Sequence, residues 1–130
     1  MIADDLEQLL YETLIADANV KGRVLTRVHP SEIALVANQM FPCICYSYGE
    51  ARPEWVGFVG PVPMTFWVHS SKDYAEAQEI FQILFDKLHA NRYGDARVNT
   101  VGRLASGPGK MYDGEIYTLV SIWNFTCIGV

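Results

Sequence analysis

Three histidines and three cysteines are the side chains best suited to ligate a metal or act as nucleophiles, and their spacing governs whether they do. His29, His69 and His89 are far apart and show no zinc-ligand spacing. His69 has a carboxylate nearby in sequence, Asp73, but one such pair is common at helix starts and on surfaces. Cys43 and Cys45 are separated by a single residue, whereas redox and zinc motifs use two. On a strand both thiols point the same way, toward a core. Cys127 makes the count odd, and all three sit in apolar runs, so buried reduced thiols are expected. Gly107-Pro108-Gly109-Lys110 lacks the glycine spacing and the Ser or Thr of a phosphate loop; a turn is expected. Asn124-Phe125-Thr126 matches a glycosylation acceptor but falls within a strand. No G-x-S-x-G elbow occurs. Catalytic, cofactor-binding and metal-ligating residues are therefore expected to be none. A small ligand-binding or enzymatic α+β domain remains as an alternative, and it would centre on His69, Asp73 and the thiols.

The elements that would position these groups can be read from periodicity. Asp4 to about Ala16 has helical spacing, with Asp4 as cap and Glu7 completing a capping box. Ile2, Leu6, Leu9, Leu10 and Thr13 share one face, and Tyr11 and Ile15 the other. Lys21-Gly22 reads as a turn, Arg23 to Val28 as a strand stopped by His29-Pro30, and Ser31 to Asn38 as a short helix or a loop. Cys43 to Tyr48 is a strand. Gly49 to Pro63, with three glycines, three prolines, Trp55 and Phe58, is the least regular stretch. Met64 to His69 alternates as a strand.

A helix capped in Ser70 to Asp73 runs to about Ala90. Its stripe is Tyr74, Ala77, Phe81, Leu84 and Leu88, and Ile83 lies on its polar face. Val98 to Ala105 reads as a strand interrupted at Gly107-Pro108-Gly109 by a break or a bulge. Asp113-Gly114 signals a hairpin, and Ile116 to Ile128 is the longest strand, apolar on both faces. The order predicts one α+β domain over residues 1–130: a mainly antiparallel sheet with two helices packed on one face.

The chain has 130 residues, half of them apolar, and a net charge of −5. That length and composition suffice for a core without staples. No apolar run reaches the roughly 20 residues of a membrane span. The scattered basic residues and acidic balance argue against sequence-specific nucleic-acid binding. The acidic start, MIADDLEQLL, is unlike a secretory signal, so a cytosol-like compartment is expected. The apolar groups out of pattern are Tyr11, Ile15, Trp55, Phe58 and Ile83. Together they point to a protein–protein surface.

Several segments occur in a familiar order. They are Ala16-Asp17-Ala18-Asn19-Val20 closing the first helix, Gly22-Arg23-Val24, and Phe41-Pro42-Cys43-Ile44-Cys45-Tyr46. Phe66-Trp67-Val68-His69-Ser70 follows, then Lys72-Asp73-Tyr74-Ala75-Glu76-Ala77 opening the long helix. Val101-Gly102-Arg103-Leu104, Met111-Tyr112-Asp113 and the strand Ile116 to Phe125 complete the set. In this order and spacing, over nearly the whole chain, the sequence resembles the tail-terminator (tail-completion) proteins of long-tailed bacteriophages and prophages. The resemblance implies a ring, typically of six copies, that caps the tail tube and joins it to the head connector. It implies no catalysis and no cofactor. The implied location is the virion, assembled in the host bacterial cytoplasm, with DNA passing through the ring lumen. Head-closure and minor tail proteins are the neighbouring alternative. A closed ring needs two different patches on each subunit. The sequence offers Ile83 with Ile15 for one, and Trp55 with Phe58 for the other.

Overall fold

The structure, a computed structural model, describes residues 2–49 and 59–129. Helix α1 (Ile2–Ala16) buries Ala3, Leu6, Leu9, Leu10 and Leu14, the three-and-four spacing of one helix face. Asp4 lies within the first turn and not at its cap; its carboxylate accepts the Tyr48 hydroxyl at 2.6 Å. The Tyr46 hydroxyl donates to the Glu7 carbonyl at 2.6 Å. Two tyrosines of one strand thus anchor the start of α1.

Helix α2 (Ala18–Val24) replaces the turn and strand expected over Lys21 to Val28. Gly22 costs a helix roughly 1 kcal/mol relative to alanine, and it is what makes the segment read as a turn. Tertiary structure overrides it. Asp17 caps the helix, accepting the amides of Asn19 at 2.9 Å and Val20 at 3.0 Å. Val20 and Val24 are buried. The helix ends at Leu25, whose backbone turns left-handed at φ 56° while its amide donates to the Lys21 carbonyl. Strand β1 is then only Val28–His29.

Residues 30–42, with a 3-10 turn at Ile33–Leu35, lead to β2 (Cys43–Tyr48). Strand β3 (Val59–Ser70) begins five residues before the expected Met64. Its prolines are tolerated because β2 pairs only from Met64 onward, leaving the earlier part an edge on that side. Asp73 caps α3 (Tyr74–Leu88), accepting the Glu76 amide at 2.8 Å. A three-residue strand, β4 (Arg92–Gly94), goes unrecognised in the sequence because it is too short for periodicity. Strands β5 (Val98–Tyr112) and β6 (Tyr117–Gly129) form a long hairpin, with Gly114 at φ 101° in its turn. The Gly107-Pro108-Gly109 run does not end β5. It is absorbed by two register shifts against β6, between Leu104 and Ser106 and between Ser106 and Gly109.

The sheet order is β1-β2-β3-β6-β5-β4. The architecture is α+β, but the sheet is mixed where a mainly antiparallel one is expected. Residues 30–42 carry the chain back, so that β1 and β2 pair in parallel, Val28 opposite Ile44. Three α-helices are present in place of two. One buried cluster joins residues of all three helices to Tyr46, Val62, Met64, Phe66, Val68, Leu119, Trp123 and Phe125 of the sheet. Its centre is aromatic. Tyr46 stacks on Phe66 at 5.2 Å, and Phe66 meets Trp123 at 5.9 Å and Phe125 at 6.3 Å. Gly102, opposite Phe125, leaves that ring room, since a Cβ there would meet the ring.

Burial raises the Asp17 carboxyl, but the Val20 amide, Lys87 and the Asn19 amide outweigh it and hold it below the ordinary aspartate value. A depressed carboxyl contributes stability at pH above its unfolded value, and that contribution disappears as pH falls through the folded one. Asp17→Ala should therefore cost about 1 kcal/mol at neutral pH. The gap between wild type and variant should close below about pH 4, measured by urea denaturation across pH.

Candidate functional site

Strand alternation gives the sheet two unlike faces. Alternate residues Val62 to Val68 of β3 and Leu119 to Cys127 of β6 are buried with the helices. The opposite, open face carries the other set. Register places Cys43, His69, Thr118 and Met111 in one row across β2, β3, β6 and β5. Cys45, Trp67, Val120 and Gly109 form the next, and Ser47, Thr65, Ile122 and Ser106 the next.

One end of this face is hollowed into a cleft of about 380 Å³. Glu32, Ile33 and Ala34 of the β1–β2 connection wall one side. Met111, Tyr112, Asp113 and Ile116 of the β5–β6 turn wall the other. Trp67, His69 and Thr118 line it between them. The lining is mostly apolar and includes two carboxylates but no lysine or arginine. The Asp113 carboxylate accepts the amides of Ile116 at 2.8 Å and Glu115 at 2.9 Å. Those bonds, the Ile116 amide first, hold its carboxyl below the ordinary range, so the turn carries a fixed negative charge.

His69 is 5% exposed. Its Nδ1 lies 2.7 Å from the Thr118 hydroxyl, and Phe41 meets its ring edge-on at 6.2 Å. Its Nε2 is buried and has no hydrogen-bond partner among the described residues. Cys43, across from it in register, and Cys45 are fully buried. The neighbouring Cys43 thiol, and then burial, push the Cys45 thiol far above its ordinary value. A thiol held protonated is a poor nucleophile and a poor ligand. Asp73 does not join this group; it caps α3. Among the described residues no three His, Cys, Asp or Glu side chains are grouped to hold a metal.

The apolar groups read from the sequence as surface contacts have separate fates. Tyr11, Ile15 and Ile83 are half-buried and pack against the core cluster of their own chain. Trp55 and Phe58 lie outside the described residues. The large apolar side chains that the fold does expose are Leu25, Leu35, Met40, Met111, Tyr112 and Ile122, each between 46% and 76% exposed. Met111 and Tyr112 line the cleft, Leu35 follows Ala34 at its wall, and Ile122 sits on the open face. The sequence carried one signal for this: the last strand is apolar on both sides.

The three thiols provide a direct check. Cys43, Cys45 and Cys127 are all buried, so the native protein should react with a thiol reagent at pH 8 only at the rate at which it opens. In denaturant three equivalents should react at once. Fast native labelling of Cys43 or Cys45 would show that β2 is not closed against its neighbours.

No family model matches the sequence, and no curated protein does. Solved structures do match. A chain from the "Virion of native gene transfer agent (GTA) particle" superposes with a TM-score of 0.65, covering 98% of this chain and 98% of that one, at 17% identity. At that identity the likeness is one of fold.

Proposed function

We propose that the protein is a structural subunit of a phage-type virion, and within that class a tail-terminator protein. It forms a ring, of six copies by the sequence resemblance, that caps the tail tube and joins it to the head connector. The observation that carries this reading is the end-to-end fold likeness to a gene transfer agent virion chain, with neither chain left over. Two further features support it. Its chemistry-bearing side chains are spent on packing and capping: Cys45 is a protonated core thiol and Asp73 a helix cap. Its cleft, by contrast, is lined in the main by apolar side chains and exposes Met111 and Tyr112, as expected of a surface that is covered in an assembly.

In this reading the protein resides in the tail or neck of the particle and is assembled in the host cytoplasm. Ile15 and Ile83 contribute one contact patch and Trp55 and Phe58 another. DNA passes the ring without base-specific contact.

Particles made without the protein should have overlong or headless tails. Heads that fill and then leak DNA would instead assign it to head closure. The purified protein, alone or on tail tubes, should give a native mass that is a multiple of the 14.6 kDa chain. A chain that stays monomeric in both settings overturns the ring. Trp55→Ala should weaken assembly about tenfold or more while leaving the monomer's melting temperature nearly unchanged.

A further inference from the structure

A ring joined head to tail needs two different surfaces per subunit that fit each other. The described residues offer one concave and one convex candidate. The concave one is the cleft: apolar in the main, walled by Ile33, Met111 and Tyr112, with Glu32 and Asp113 on it and no lysine or arginine in its lining. The convex one is Leu25. It is 56% exposed and, like Met40, lies outside the cleft lining. It is held in an unfavourable left-handed conformation at φ 56°, which for a non-glycine residue costs on the order of 1 kcal/mol or more.

Three backbone bonds fix Leu25 in place: Leu25 to the Lys21 carbonyl, Arg27 to the Val24 carbonyl, and Val28 to the Thr26 carbonyl, all 2.8–2.9 Å. The same turn is basic. Lys21 and Arg23 lie in the last turn of α2. Arg23 pairs with Glu79 at 2.9 Å, whereas Lys21 has no carboxylate partner among the described residues.

We infer that the Leu25 turn of one subunit docks in the open-face cleft of the next copy of the chain. Leu25 fills the apolar hollow between Met111 and Ile33, and Lys21 approaches Glu32 and Asp113. This rests on the ring reading and deepens it by naming the two surfaces. It uses residues other than Ile15, Ile83, Trp55 and Phe58. Shape and charge both match: a leucine with a lysine one helical turn away meets a hollow with two carboxylates. The pairing is heterologous, so it extends from copy to copy until the ring closes.

The test is a cysteine pair in the full chain, Leu25→Cys with Ala34→Cys, both at exposed positions, under mild oxidation. The native thiols are buried and leave the background clean. The double variant should give a ladder of covalent oligomers that neither single variant gives beyond a dimer. A charge exchange provides the second arm. Lys21→Glu and Glu32→Lys should each raise the concentration needed for assembly roughly tenfold, and the two together should restore it. A wild type that assembles while the pair forms no ladder and the charge changes have no effect overturns the docking and leaves the ring standing. A disulfide closed within one chain, seen as a monomer that has lost both introduced thiols, also overturns it. A wild type that assembles neither alone nor on tail tubes overturns the docking and the ring together.

Discussion

The aromatic stack of Tyr46, Phe66, Trp123 and Phe125 is the contact on which the rest of the molecule depends. These rings come from three neighbouring strands and reach the same side of the sheet because of strand alternation. Each ring of this size buries on the order of 150–250 Å². That burial requires a lid, and the three helices supply it. The polar groups within it are also provided for: the Trp123 indole donates to the Ser121 hydroxyl at 2.9 Å, and the Tyr46 hydroxyl to the Glu7 carbonyl at 2.6 Å. The core therefore sets the register of the strands and the placing of α1 at once.

Committing the helices to that side leaves the other side of the sheet thinly covered. Among the described residues, the 30–42 connection and the end of the long hairpin line the cleft on that side. His69 marks the boundary. One ring nitrogen is held by Thr118 while the other is buried with no partner among the described residues.

Much of this was legible in the residues. The leucine spacing of α1, the stripe of α3, the alternation of β2 and the Asp113-Gly114 turn all act within a dozen residues, where local pattern governs structure. Helix α2 was hidden because Gly22 contradicts it locally; Asp17, Val20 and Val24 decide it through a cap and through burial. Strand β4 was too short to have a period. The continuity of β5 through Gly107-Pro108-Gly109 depends on its partner, which a single segment cannot reveal. The cleft was least legible. It needs Ile33, Trp67, Met111 and Thr118 to meet, and only long-range register brings them together. Two-sided apolarity in the last strand pointed to that surface, while helix-wheel reasoning pointed to Ile15 and Ile83, which pack partly against their own chain.

The paired irregularities of β5 have an evolutionary consequence. Each inserts one residue against β6, and each alone would exchange inside for outside along everything beyond it. Two in succession cancel, so Met111 returns to the open side and Lys110 to the side of the Tyr74 ring, 5.1 Å away. The hairpin tip can therefore lengthen or shorten by an even number of residues and keep its chemistry. An odd change would present an ammonium group where a thioether now lies. Homologous chains should accordingly vary in steps of two between Leu104 and Lys110.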